Sequence, residues 1–242
     1  MDGSIDAGST AARILDAAEQ LFALRGYHGV SIREVATRSN TELSLTRYHF
    51  GSKDELFRRV VARRAGPVTQ ATFRSLTEAL ASKRGRPLTV EAIVRAFVMP
   101  IATLPMLDAG WRHYLKLMIH SDSLSERPEL LEPLRDAYAP VFVRYVDELV
   151  RAGYQRERAC WLMYFIHWMM GHMAFEVYEL EKLSHGLCDS SNHAALVDHL
   201  ARFIVGGADA LRQGELSSAR VVIDASRAAR KPAKAKPRRK RS

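Results

Sequence analysis

The sequence has few of the residues that build a disulfide framework, and it lacks the long apolar runs of membrane-spanning helices. Only two cysteines occur, Cys160 and Cys188, and neither stands at a spacing typical of a zinc site. The most apolar stretch, residues 161–175, is interrupted by two histidines and a glycine and is too short to cross a bilayer. The first ten residues are polar and acidic, unlike a signal peptide. These absences predict a soluble, cytoplasmic protein with no membrane contact.

The sequence also lacks the residue sets that catalysis and cofactor binding require. It shows no nucleophile, base and acid in a recognisable motif, no glycine-rich phosphate loop and no paired carboxylates. Histidines do lie among apolar residues in the second half of the chain, but His167 and His172 would point about 140° apart on a helix. We therefore expect no enzyme activity, no metal and no cofactor. The open alternatives for these histidines are a hydrogen bond to a ligand and a satisfied place in a core.

Most of the chain has no net excess of positive or negative charge. The formal net charge is +9, but residues 225–242 contain nine Lys or Arg and no acid, which leaves 27 basic and 27 acidic residues elsewhere. This last segment alternates proline, alanine and basic residues, so we expect a disordered basic tail over residues 215–242. Its positive charges could contact DNA phosphates without recognising the base sequence. A merely solubilising role is the alternative.

Strand signals are nearly absent, and apolar residues recur at the three- and four-residue spacing of helices. After an arm at residues 1–9, this period predicts a helix from Thr10 to a stop at Gly26 and a long helix from Ser52. At Gly66 and Pro67 the long helix either bends or ends. Further helices are predicted at 89–104, 109–121, 128–152, 157–183 and 192–213. The fold class is therefore all-α.

Residues 31–53 have the form of two short helices joined by a tight turn. Ser31 and Glu34 form a capping-box pattern, and Ser39 and Asn40 tolerate a turn. The second helix is rich in Arg, Thr, Ser, Tyr and His, which suit phosphates and base edges. With the first helix as a brace, three helices would share a small apolar centre: Leu21, Phe22, Ile32, Val35, Leu45, Phe50 and Leu56. The pattern indicates a DNA-binding helix-turn-helix, and a surface helical hairpin is the alternative.

The succession of motifs resembles that of a known family. A helix with the pattern IL-x-AA-x-x-LF, the segment GYHGVSIREVA and a helix closing on YHFGSKDELF follow one another over residues 11–60. They resemble the N-terminal DNA-binding domain of the TetR/AcrR family of transcriptional regulators. The chain departs from the family pattern at Asn40, Thr41 and Glu42, and at Arg47, where an aromatic residue is common.

The resemblance implies how residues 31–53 would contact DNA. Tyr48 and His49 would lie along the DNA backbone, and Lys53 would meet a phosphate at a helix N-terminus. Arg47 is the best candidate for a guanine contact, because its fork matches the two acceptors of that base. The other predicted DNA contacts are Ser31, Arg33, Thr41, Leu43, Ser44 and Thr46. Glu42 would either cap its own helix or accept a hydrogen bond from cytosine.

Large apolar side chains are concentrated in three helices of the second half. We predict that a subset surrounds an elongated hydrophobic effector: Trp111, Tyr114, Met118, Phe142, Tyr164, His167, Trp168 and Met169. Places in an ordinary core or a dimer seam are the alternative. Residues 161–177 and 196–211 have broad apolar surfaces, and two copies of each would form a four-helix bundle in a homodimer, as the resemblance also implies.

These features predict a helix-turn-helix domain at residues 10–52 and a larger helical effector-binding and dimerisation domain at 53–214. The predicted function is that of a dimeric repressor, released from an inverted-repeat DNA operator by a hydrophobic small molecule. The alternative is a nucleoid-associated protein that binds DNA largely without sequence preference. A helical enzyme is a further rival that no motif favours.

Overall fold

The computed structural model describes residues 9–119, 124–189 and 192–213, and within these ranges the chain is helical and has no strand. The all-α fold is therefore confirmed, whereas the predicted arm, except Ser9, and the predicted basic tail lie outside the described residues. None of the helices in these ranges has an apolar stretch of the length that crossing a bilayer requires. The helices are α1 Thr10–Arg25, α2 Ile32–Arg38, α3 Leu43–Phe50, α4 Lys53–Ser82, α5 Val90–Thr103, α6 Ala109–Ile119, α7 Glu132–Arg151, α8 Arg156–Leu183 and α9 His193–Gln213.

Helix ends in the N-terminal part follow from local capping chemistry. The Ser9 hydroxyl accepts a hydrogen bond from the Ala12 amide at 3.2 Å and starts α1. Gly26 ends that helix in the left-handed region, at φ 66°, where a glycine costs least. Ser52 caps α4 by accepting from the Glu55 amide at 3.1 Å. These are the positions that the sequence pattern predicted.

Helix α4 runs without interruption through Pro67. The alternative of a helix boundary at Gly66 and Pro67 is therefore wrong. Proline has no amide hydrogen to donate to the preceding turn. On that turn, the Thr69 hydroxyl donates to the carbonyls of Ala65 and Gly66 at 2.9 and 2.8 Å. The helix thus provides one continuous element of 30 residues.

The buried apolar residues form two clusters that share α4. The second half of α4, through Val68 and Leu76, packs with α5 to α9 in the larger cluster. The first half packs with α1, α2 and α3 in the smaller cluster, which also receives Leu117 from α6 and Leu124 and Leu130 from the segment before α7. We call α1, α2, α3 and the first half of α4 the head. Side chains of the α6–α7 region therefore help to form the core of the head.

Candidate nucleic-acid interface and ligand site

The turn between α2 and α3 is held by hydroxyl groups. The Ser39 hydroxyl donates to the Val35 carbonyl at 2.8 Å and lies 2.8 Å from the hydroxyl of Thr41. Asn40 adopts the left-handed region at φ 51°, which asparagine tolerates better than most residues. These local bonds hold the turn, and α1 packs against both α2 and α3.

The capping box predicted at the start of α2 is confirmed. The Ser31 hydroxyl accepts from the Glu34 amide at 3.3 Å, and the Glu34 carboxylate accepts from the Ser31 amide at 2.8 Å. Arg25 also donates to Glu34 at 2.8 Å. The hydrogen bonds from the Ser31 side chain and from Arg25 lower the pKa of Glu34 to about 2. Glu34 is therefore ionised at neutral pH and ties α2 to the end of α1.

Helix α3 presents a broad exposed face. Ser44, Arg47, Tyr48 and His49 are all exposed, and Tyr48 retains 82% of its accessible surface. Leu45 is also exposed, so it does not belong to the apolar centre in which the sequence placed it. Glu42 occupies the N-cap position of α3, but its carboxylate makes no cap hydrogen bond and accepts instead from the Ser44 hydroxyl at 3.1 Å.

Thr46 lies on the opposite side of α3 from this face. It is 1% exposed, so it cannot meet a DNA groove, and the expectation that it does is corrected. Its hydroxyl donates to the Glu42 carbonyl at 3.4 Å and lies 3.3 Å from the Thr41 hydroxyl. The hydroxyl is thus satisfied locally, which lets a polar residue occupy the place where α3 packs on α2.

The other predicted DNA contacts are accessible to different degrees. Arg33 on α2 is exposed, whereas Thr41 and Leu43 at the start of α3 are half-buried. Lys53, the first residue of α4, has its ammonium nitrogen 4.3 Å from the centre of the Tyr27 ring. Partial burial lowers the pKa of Lys53, because desolvation disfavours the charged form. Arg33 on α2 and Lys53 on α4 thus flank α3, and contact of all four residues with DNA stays a prediction.

The structure divides the predicted effector residues into two groups. Trp111 and Tyr114 are buried in the larger cluster, and Met118, Phe142 and Met169 are half-buried against it. Met118 also packs against the cluster of the head. The Tyr114 hydroxyl is buried without a hydrogen-bond partner among the described residues, and burial raises the pKa of Tyr114. Whether this interior group binds an effector stays a prediction.

The second group lies on the outside of α8. Tyr164 and Trp168 are 46% and 40% exposed, so their predicted place among the pocket residues is corrected. With Trp161 and Phe165 they form one stripe, in which the Trp161 and Phe165 rings stack at a centroid distance of 6.0 Å. We call these four residues the aromatic face. His167 is also exposed, but its ring packs at 5.7 Å on the Tyr138 ring, and this loss of water lowers the pKa of His167.

Comparison with known proteins accounts for both parts of the molecule. A family model described as "Bacterial regulatory proteins, tetR family" matches residues 14–60, which include α2 and α3. A second model, described as "Tetracyclin repressor-like, C-terminal domain", matches residues 95–207. The chain belongs to the TetR family. The two matches follow the order of the head and of the larger helical part, and together they cover well over half of the sequence.

Curated relatives match over a short segment. The HTH-type transcriptional repressor Rv3405c of Mycobacterium tuberculosis is 52% identical over 46 residues, which are 19% of this chain and 24% of that protein. The HTH-type transcriptional regulator Mb3439c of Mycobacterium bovis matches to the same extent. The chain thus spans about a quarter of the length of these curated relatives.

Solved structures match over most of the chain and show the fold. A transcriptional regulator from Rhodococcus sp. Rha1 has a TM-score of 0.56 and 21% identity over 82% of this chain and 97% of its own. The fatty acid degradation regulator FadR from Bacillus halodurans has a TM-score of 0.53 and 14% identity over 83% of this chain and 97% of its own. The helical arrangement that the chain shares with these two structures therefore extends well beyond α1–α3.

One cluster of this TetR-family chain has no counterpart in the sequence-based predictions. Arg127, just before α7, donates to the Asp54 carboxylate at 2.6 Å and to the Tyr27 hydroxyl at 3.0 Å. Tyr27 in turn donates to Asp54. Glu129 accepts from Arg127 at 3.0 Å. Because Arg127 is remote in sequence from its partners in the head, no spacing or period could indicate this contact.

Proposed function

We propose that the protein is a transcriptional repressor that binds an inverted-repeat DNA operator as a homodimer and leaves it when a hydrophobic small molecule binds. The observation that carries the proposal is the exposed face of α3, with Arg47, Tyr48 and His49 projecting from a helix that α2 and its turn hold in place. A helix presented in this way fits the major groove, and flanking groups on α2 and α4 reach the phosphates.

Arg47 is proposed to read a guanine, and its replacement by alanine tests whether the protein reads DNA sequence through α3. The selected operator is first obtained by binding the wild-type protein to a random DNA library, and its single-base variants are then compared by fluorescence anisotropy. Arg47→Ala should lose about 1–3 kcal/mol of discrimination at one position of each half-site, because a bidentate pair is lost. Discrimination at the other positions should remain.

Arg59→Ala is the matched control for Arg47→Ala. Arg59 is exposed and carries the same charge, but it pairs with Glu55 on α4 at 3.0 Å. The control should keep the wild-type sequence preference. An equal loss of affinity of Arg47→Ala for every DNA sequence would make Arg47 a phosphate contact. Selection of no preferred sequence by the wild-type protein would favour the nucleoid-associated alternative.

A second copy of the chain is proposed to cover the aromatic face of α8. Four adjacent aromatic side chains between 40% and 50% exposed form an apolar patch of the kind that marks an interaction surface. Helix α9 packs beside α8 and adds Phe203, which is 72% exposed. Gly206 and Gly207 have no atom within 4 Å of an added side chain, so a partner helix has room to approach. Two heads would then be held one helical turn of DNA apart.

The effector is proposed to be a hydrophobic compound that carries one hydrogen-bonding group. Trp111, Met118, Phe142 and Met169 supply apolar contacts, and Tyr114 supplies a hydroxyl that no described group satisfies. An unsatisfied buried hydroxyl is costly, so a ligand oxygen that accepts from it would gain more than in water. The division into a DNA-binding part at 10–52 and an effector part at 53–214 belongs to this proposal.

Replacing Tyr114 with phenylalanine should leave the free energy of unfolding unchanged or raise it, because no hydrogen bond is lost. Tyr145→Phe is the matched control, since the Tyr145 hydroxyl donates to the Thr72 carbonyl at 2.9 Å and its loss should cost about 1 kcal/mol. Urea unfolding measures both. Some compound that co-purifies with the wild type should release it from its operator. The concentration of that compound needed for release should be about 3- to 10-fold higher for Tyr114→Phe, which is the equivalent of one hydrogen bond. An unchanged requirement would place the polar group of the effector elsewhere.

A further inference from the structure

We propose that Arg127 makes the DNA-binding face electrostatically competent by neutralising Asp54, and that withdrawal of Arg127 weakens operator binding by exposing the Asp54 charge beside Lys53. This inference rests on the proposed function, because it concerns the same DNA face. Arg127 would act through Asp54 and would itself touch no DNA. It is therefore a positioning residue contributed by the larger domain to the head.

The geometry places three charges around one ring. Lys53 lies 4.3 Å and the Arg127 guanidinium carbon 5.5 Å from the centre of the Tyr27 ring. One Asp54 oxygen accepts from Tyr27, and the other accepts from Arg127 at 2.6 Å. Both carboxylate oxygens are thus occupied, and the proposed phosphate contact, Lys53, adjoins Asp54 in sequence and shares the Tyr27 ring with Arg127.

Asp54 is an unfavourable residue for a phosphate-binding helix end. A carboxylate in the first turn of α4 stabilises the helix dipole, but it repels the phosphate that Lys53 and the same helix end would attract. The Asp54 side chain is 33% exposed, so its charge reaches the adjoining surface. Hydrogen bonds from Arg127 and Tyr27 lower the pKa of Asp54, which keeps the carboxylate ionised at neutral pH. Without Arg127 this carboxylate would lose its hydrogen-bonded counter-ion next to the proposed DNA contact and keep only the weaker coulombic attraction of nearby cations such as Arg58.

Arg127 is placed where movement of the proposed effector site would reach it. It lies in the segment between α6 and α7, and α6 carries Trp111, Tyr114 and Met118. On either side of Arg127, Leu124 and Leu130 are buried in the cluster of the head. A shift of α6 would therefore move the segment that holds Arg127. Loss of the ion pair between Arg127 and Asp54 would then change the charge beside Lys53, even if the spacing of the two heads did not change.

The test measures operator affinity of the full-length chain by fluorescence anisotropy at several salt concentrations. Arg127→Met should bind the selected operator about 10-fold more weakly at low salt, and the deficit should shrink as salt rises, because the repulsion is screened. Asp54→Asn should bind at least as tightly as the wild type. The double variant should return to within about 3-fold of Asp54→Asn, since the carboxylate that adjoins Lys53 is absent and only Glu129 loses its pairing with Arg127.

Two controls separate charge from packing. Arg135→Met removes the same charge from an exposed position on α7 and should leave affinity near that of the wild type. Arg127→Lys keeps the charge without the guanidinium geometry that bonds Tyr27, Asp54 and Glu129 together, and it should bind within about 3-fold of the wild type; it also serves if Arg127→Met fails to fold. A double variant as weak as Arg127→Met, or an Arg127→Met variant equal to the wild type, overturns the inference. Failure of the wild type to select any operator would instead refute the proposed function.

Discussion

Replacing Arg64 with methionine is expected to lower the free energy of unfolding by up to about 3–5 kcal/mol at pH 7, because the buried Glu19 carboxylate would lose its hydrogen-bonded partner and keep only Arg63, at 3.9 Å. Glu19 on α1 is 2% exposed, and both of its oxygens accept from Arg64 on α4, at 2.6 and 3.2 Å. The Arg64 guanidinium also lies 4.7 Å from the centre of the Trp111 ring. Arg64 thus joins the head to the proposed effector site, and urea unfolding at a fixed protein concentration measures its contribution.

The loss should depend on pH in a stated direction. Burial raises the pKa of Glu19, and Arg64 opposes that rise. Without Arg64, the folded-state pKa of Glu19 rises further above its unfolded value, so the cost is largest above the folded pKa and disappears as Glu19 becomes protonated. The deficit of Arg64→Met should therefore be smaller at pH 5 than at pH 7.

Two variants check this interpretation of Arg64. Glu19→Leu combined with Arg64→Met should recover most of the lost stability, because no buried charge is left unpaired. Arg59→Met removes an exposed pair with Glu55 and should cost less than about 1 kcal/mol. If Arg59→Met and Arg64→Met were equally destabilised, the loss would come from net charge and not from the buried pair.

Replacing Trp161 with glutamate is expected to convert the proposed dimer into monomers and to weaken operator binding by more than about 100-fold, or 2.7 kcal/mol. A two-fold axis repeats each substitution in the interface, so an unpaired carboxylate would be buried twice. Trp161 is half-exposed in the protomer and stacks on Phe165, so its replacement leaves the core of the protomer intact. Sedimentation velocity gives the oligomeric state, and anisotropy gives the affinity.

Leu24→Glu is the control for Trp161→Glu. Leu24 is a 59% exposed apolar residue on α1 and lies in the head, remote in sequence from the aromatic face. Its replacement adds the same charge and should leave the sedimentation coefficient unchanged. A Trp161→Glu variant that still sediments as a dimer would show that the aromatic face has another occupant.

The sequence predicted helix positions well where capping chemistry is local. Ser31 with Glu34 and Ser52 with Glu55 marked the starts of α2 and α4, because those bonds involve residues only three apart. The buried side of α3 was harder to predict from the sequence. In a helix of eight residues an exposed Leu45 and a buried Thr46 contradict the usual polarity rule. Thr46 is buried because its hydroxyl finds partners in its own turn, which a hydrophobic period does not detect.

Helix α8 shows why the burial of the proposed effector residues could be predicted only in part. Its sequence is apolar on several sides, which indicates burial without saying which neighbour covers which side. Met163 and Met170 face the core of the protomer, whereas Tyr164 and Trp168 face outward. That distinction depends on where α6, α7 and α9 lie. The pairing of Arg127 with Asp54 likewise depends on tertiary structure alone.

The head of this protein is not an exchangeable module. Leu117, Leu124 and Leu130 enter its core from beyond α5, so a fragment that stops within α4 would lack three of the buried side chains of that cluster. A chimera that grafts the first helices of this chain onto a foreign effector domain would meet the same deficit unless it carried the α6–α7 segment as well. New pairings of operator and effector are therefore constrained by the foreign effector domain, whose own apolar side chains must pack against the buried side of the transplanted helices.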